Sequence, residues 1–240
     1  MNNRLSQQLG AWSAIIAIGI WLVALWPLAH YLPPPSPALS AADVANLYAS
    51  NSVGIRVASI LALFAISFTA MFYAAISAQM RQIEGAVPVW TYVQMLNGLL
   101  SLVGFVTLAI LWAVAAYRPG RPPEIIQAFQ DEAWLLYAMV APPACLQLLA
   151  IGFAIFGDVN PTPLYPRWVA FLTIWTGILF LPGILACMFT AGPFAWDGLF
   201  SFWIPLISFG NWMAVMCWAM LRAAKREASL AQRSLAYNHR

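Results

Sequence analysis

An all-α, polytopic bundle of six membrane-spanning helices is the architecture this sequence predicts, and three observations predict it. First, 62% of the 240 residues are hydrophobic and only 8% are charged, against about 25% charged in a soluble domain. So little charge cannot coat a water-facing surface of this size. Second, the apolar residues gather into six blocks, each reaching or exceeding the roughly 20 residues that cross about 30 Å of hydrocarbon. Third, the charges lie in the gaps between blocks, and no Asp, Glu, Lys or Arg falls in the middle of one. Outer-membrane strands alternate in polarity over about ten residues, which these runs do not. In lipid, a continuous apolar run satisfies its own backbone as a helix.

The first span is expected at 11–32, leaving through Pro33-Pro34-Pro35-Ser36-Pro37, a stiff extended exit. Arg4 with the small residues Ala38, Ser40, Ala41 and Ala42 loosely resembles a signal peptide. The length of the apolar stretch and Trp12, Trp21 and Trp26 favour a retained span; cleavage would leave five spans. Ser40 is placed to cap a short helix ending at Ser50. The second span is expected at 57–80 and the third at 89–117. The third is long, so it tilts or emerges from lipid at one end. Arg118-Pro119-Gly120-Arg121-Pro122-Pro123 breaks the chain, and a second short helix is expected over 124–130. The fourth span, 133–156, holds Pro142-Pro143, a predicted kink. Asp158-Val159-Asn160-Pro161-Thr162-Pro163 reads as a turn before the fifth span, 168–190. The sixth covers 199–221 and continues into a basic tail, 222–240, suited to anionic headgroups.

Basic residues give the orientation. With the N-terminus inside, eight lie inside (Arg4, Arg81, Arg167, Arg222, Lys225, Arg226, Arg233, Arg240) and three outside (Arg56, Arg118, Arg121). That bias predicts both termini on the cytoplasmic side, in the inner (plasma) membrane of a cell.

Two small-residue stripes on the second span, Ala58-Ala62-Ala65-Thr69 and Ala70-Ala74-Ala78, are expected to pack helices closely. Trp90, Trp134, Trp168 and Trp196 sit near span ends, where interfacial anchors belong. Polar residues at membrane depth need partners. Gln94, Asn97 and Ser101 share a face of the third span, Ser208 and Asn211 a face of the sixth, and Gln147 stands in the fourth. They serve either as interhelical hydrogen bonds or as a small ligand pocket formed by Gln94, Asn97, Gln147, Ser208 and Asn211. On the outer side, Arg118, Arg121, Glu124, Asp131, Glu132 and Asp197 form a charged group that is either solvated loop surface or a headgroup site.

Several chemistries are excluded. With two histidines, His30 and His239, a histidine-rich di-iron centre and a bis-histidine haem have no ligands. The one lysine, Lys225, lies outside the spans, so no Schiff base forms within the bundle. Cys145, Cys187 and Cys217 are isolated and give no C-x-x-C pair. No nucleophile elbow, phosphate-cradling loop or zinc spacing is present, and no basic patch suits nucleic acid. No metal and no cofactor are therefore expected.

The stretches Gly54-Ile55-Arg56, Ala75-Ile76-Ser77-Ala78-Gln79-Met80-Arg81-Gln82-Ile83-Glu84-Gly85, Arg121-Pro122-Pro123-Glu124-Ile125-Ile126 and Pro166-Arg167-Trp168-Val169 carry a resemblance. So do Gly192-Pro193-Phe194-Ala195-Trp196-Asp197-Gly198 and Phe202-Trp203-Ile204-Pro205. Over residues 50–222 the chain resembles a family of bacterial multi-pass integral membrane proteins without an assigned activity. The resemblance implies a single six-helix domain. In its most distinctive motif, Trp196 is expected to anchor and Asp197 to cap the sixth helix.

Three classes of function fit. The first is a non-catalytic membrane protein, binding a lipid or hydrophobic small molecule or serving other membrane subunits. The second is a facilitator of a neutral or hydrophobic solute. The third is an enzyme using the outer carboxylates, which requires Asp131, Glu132 and Asp197 to converge.

Overall fold

Apolar runs with no water to bond their backbone close it internally, and the outcome in a computed structural model is helix almost throughout. No strand occurs among the described residues. The structure describes residues 3–238, and side chains over 5–226. The side chains of Arg4 and Arg233, and His239 and Arg240, lie outside the described residues, as does most of the predicted tail.

Helix α1 (Asn3–Val23) runs into a π-helical turn, Ala24–Leu28, which holds Pro27. Helix α2 (Ala41–Ser50) is the short helix predicted after the proline run; Ser40 Oγ accepts the Asp43 N–H at 3.2 Å and caps it. Helix α3 (Ser52–Glu84) extends beyond 57–80 at both ends, because the polar flanking residues continue the helix past the apolar stretch. Gly85, at φ 72°, ends it in a conformation that favours glycine. Helix α4 (Val89–Tyr117) has the predicted bounds.

The fourth span differs from expectation. No separate helix covers 124–130; those residues open α5 (Pro123–Met139). Gln130, Asp131, Glu132 and Ala133 include nothing that stops a helix. The break falls at Val140, before α6 (Ala141–Phe156), where Pro142 and Pro143 lack the N–H groups a continuous helix needs. Helix α7 (Arg167–Phe180) tightens into a 3-10 segment, Leu181–Met188, at Pro182. A π-helical turn, Leu199–Trp203, then precedes α8 (Ile204–Asn238) and its Pro205. Six segments are long and apolar enough to cross a bilayer. The chain is a multi-pass membrane protein of all-α class.

The spans form a closed ring: α1 packs on α3, α3 on α4, α4 on α6, α6 on α7, α7 on α8, and α8 back on α1. In the half nearer the termini the ring is filled by Ala11, Phe72, Ile76, Trp212, Met216 and Met220. The other half, here called distal, centres on Tyr31, Tyr48, Trp112, Trp134 and Phe202. Only one of the two small-residue stripes packs. Ala58, Ala62, Ala65 and Thr69 are buried, whereas Ala70, Ala74 and Ala78 face outward. The α1–α3 approach uses Gly10 instead, where a Cβ would overlap the Ala75 methyl.

The tryptophans also divide. Trp90 and Trp168 are exposed near span ends, but Trp134 and Trp196 are buried. Trp196 donates its indole N–H to the Pro35 carbonyl at 2.8 Å, so it ties two distal loops together rather than anchoring in lipid. Asp197 does not cap the sixth span. The cap position falls one residue later, on Gly198, which has no side chain to offer.

Candidate functional site

Three helices lose regular winding in the distal half: α1 at Ala24–Leu28, α7 at Leu181–Met188 and the lead-in to α8 at Leu199–Trp203. Irregular turns of this kind often mark functional positions. They bend the walls of the ring, α5 breaks into α6 at Val140, and the centre is left unfilled. A cavity of about 370 Å³ results, lined from every span. Small-molecule sites fall at about 300–1,000 Å³.

Its walls are almost entirely apolar, with Trp21, Phe105, Trp112, Trp134, Tyr137 and Phe202 forming the aromatic part. Tyr31, Trp112 and Trp134 pack against one another with ring centroids 4.9–5.5 Å apart. Tyr137 and Phe202 each lie 6.0 Å from Trp134. Two lining residues, Leu22 on α1 and Ile207 at the start of α8, are 47% and 67% exposed. They place the mouth on the lipid-facing surface, in the distal half.

The lining hydroxyls are committed to backbone. Thr69 donates to Ala65 O at 2.9 Å, Ser101 to Asn97 O at 3.0 Å and Ser201 to Phe194 O at 2.7 Å. The indole nitrogens of Trp112 and Trp134 are buried and have no hydrogen-bond partner. Beside them the Tyr31 and Tyr48 hydroxyls and Gln130 Oε1 are also buried without a formed hydrogen bond. Burial pushes the Tyr31 phenol well above its ordinary pKa, and its neighbour Tyr48 adds to that. Burial also raises Tyr48; contact with Tyr31 opposes the shift and the charge of Asp131 reinforces it. Both phenols are therefore neutral, and the distal end of the cavity is polar without being charged.

The predicted amides are dispersed. Gln94 bridges helices: Ser77 Oγ donates to its Oε1 at 3.2 Å, and its Nε2 donates to Tyr73 O at 3.0 Å. Asn97 donates to Val93 O on its own helix at 2.9 Å, and Ser208 to Pro205 O at 3.2 Å. Gln147 is buried against Gly98, with Nε2 unpartnered. Asn211 is exposed on the outside of α8. Of the face-sharing residues only Ser101 lines the cavity.

The distal charges mostly engage their own neighbourhood. Arg118 lies over the Tyr117 ring at 5.8 Å. Arg121 donates to Val114 O at 2.9 Å and lies over Phe129 at 5.6 Å. Glu124 and Glu132 are exposed, Asp197 is half-buried, and Asp131 sits near Tyr48. Among the described residues no group of three His, Cys, Asp or Glu could hold a metal ion.

Trp112, Trp134, Tyr137 and Phe202 were not singled out by sequence as site residues. The available signal was a concentration of aromatics within the distal ends of the third, fourth and sixth spans, which span-end anchoring accounted for equally well. Compared with known proteins, the chain matches no family model, no curated protein and no solved structure.

Proposed function

We propose that the protein is a non-catalytic binder of a hydrophobic molecule taken laterally from the bilayer, acting in a bacterial inner membrane alone or as an accessory subunit to other membrane proteins. The observation that carries this reading is the apolar central cavity with its rim at Leu22 and Ile207 on the lipid-facing surface. A molecule can reach such a cavity without leaving hydrocarbon. The packing on the terminal side of Met213, where Trp212, Met216 and Met220 are fully buried, favours holding over conduction.

Gly210 supplies the test. It lines the cavity, and a Cβ added there meets nothing within 4 Å. Gly210→Phe is expected to fill the space while the bundle still assembles. Protein purified in mild detergent from native membranes is extracted and its lipids compared by mass spectrometry. A hydrophobic species held stoichiometrically by the unsubstituted chain should be lost from the variant. Identical lipid content in both would refute the reading.

A further inference from the structure

Taking the cavity as a binding site, we infer that its occupant is a neutral lipid with a carbonyl oxygen on a flat head group, held by the indole N–H groups of Trp112 and Trp134. The argument begins with the chemistry of indole, which donates a hydrogen bond and accepts none. Both side chains line the cavity, are 2% and 1% exposed, and have no acceptor within the protein. Buried polar groups are nearly always paired, and hydrocarbon offers them nothing. The two rings lie 5.4 Å apart, close enough for both donors to serve one head group.

The type of head group follows from what else is there. No charged side chain lines the cavity, so a phosphate or carboxylate head would be stranded without a counter-charge. An alcohol brings a donor of its own, while the Phe202 carbonyl already receives the Tyr137 hydroxyl at 3.5 Å. A carbonyl oxygen has two lone pairs, brings no donor, and can accept from both indoles. The surrounding rings of Tyr137 and Phe202 favour a flat head. The tail has room as well. Along α4 the lining runs from Ser101 to Trp112, roughly 16 Å at the helical rise per residue.

Two probes separate this inference from the reading it rests on: decylubiquinone, a flat carbonyl head on a ten-carbon chain, and decylbenzene, the same chain on a ring without oxygen. Retention by the full-length protein in detergent is measured by native mass spectrometry. The quinone should bind more tightly than the hydrocarbon. Trp112→Phe and Trp134→Phe should each weaken quinone binding roughly three- to tenfold and leave decylbenzene unchanged. Gly210→Phe should exclude both. Should either tryptophan variant fail to fold, the unsubstituted protein still decides: its ultraviolet resonance Raman band for indole N–H hydrogen bonding should shift with the quinone and not with decylbenzene. Equal binding of the probes, or no Raman shift, overturns the carbonyl assignment while leaving the cavity a lipid site. Retention of neither probe overturns the lipid site itself.

Discussion

Gln79 on α3 and Tyr165 before α7 meet at the terminal end of the bundle, the phenol donating to the amide oxygen. The amide nitrogen completes the junction, donating to Gln7 Oε1 at 3.3 Å and to the Met220 carbonyl at 3.4 Å. One fully buried side chain therefore joins α1, α3, α8 and the lead-in to α7. Gln79→Leu should lower stability by about 1–3 kcal/mol, since interhelical bonds in lipid average roughly 0.6 kcal/mol each and reach about 1.7. Unfolding in mixed micelles, followed by circular dichroism, measures it. An unchanged midpoint would show that this junction is dispensable.

At the opposite end, the Trp196–Pro35 bond joins loops 161 residues apart in sequence. Trp196→Phe keeps most of the ring packing and removes the donor, leaving the Pro35 carbonyl without it. The expected cost is about 1–3 kcal/mol, read as a lower midpoint in the same assay. Faster proteolysis in the distal loops should accompany it. A midpoint within about 0.3 kcal/mol of the parent would mean that water replaces the indole.

Gln94 and Asn211 should part company. Gln94→Leu removes both bonds between α3 and α4 and leaves the Ser77 hydroxyl with only its bond to Tyr73 O. It should cost about 1–2 kcal/mol. Asn211 faces outward, and Asn211→Leu should leave stability within about 0.5 kcal/mol and probe binding unaltered. Loss of binding in Asn211→Leu would place the ligand elsewhere than the central cavity.

Glycine substitutions test the close contacts. A Cβ at Gly98 would approach Gln147 Nε2 and Tyr73 Cδ2 at 2.9 Å, both in the core between α3, α4 and α6. Gly98→Ala should therefore destabilise by about 1–3 kcal/mol. Gly19, in mid-α1, has nothing within 4 Å of an added Cβ. Gly19→Ala should be neutral or stabilise by up to about 1 kcal/mol. Thermal denaturation of the two variants side by side gives the sign of each.

Much of the architecture can be read from composition and punctuation. Apolar length located the spans, Ser40 marked the α2 cap, and Pro142-Pro143 marked the break in the fourth span. Asp158 marked its turn: it accepts from Asn160 N, Asn160 Nδ2 and Leu164 N at 2.7–3.1 Å. What sequence could not separate was direction. Ala58-Ala62-Ala65 and Ala70-Ala74-Ala78 have similar composition, yet the first packs and the second faces out, because lipid rewards neither face over the other on hydrophobicity alone. The cavity was hidden for a related reason. It is an absence of filling among ordinary apolar and aromatic side chains, created by three irregular turns, and the amides that looked more informative were consumed in holding helices together or left outside.

Glu84 closes α3 and also takes the first turn of α4 in hand. Its carboxylate accepts from Trp90 N and Thr91 N at 2.8 Å and from the Thr91 hydroxyl at 2.6 Å. Every one of those partners lies within seven residues, so nothing synthesised later is needed to make them. Biogenesis thus starts from a self-fastened hairpin, stapled at its loop while the ribosome is still translating. The remaining helices then have a fixed wedge against which to close the ring.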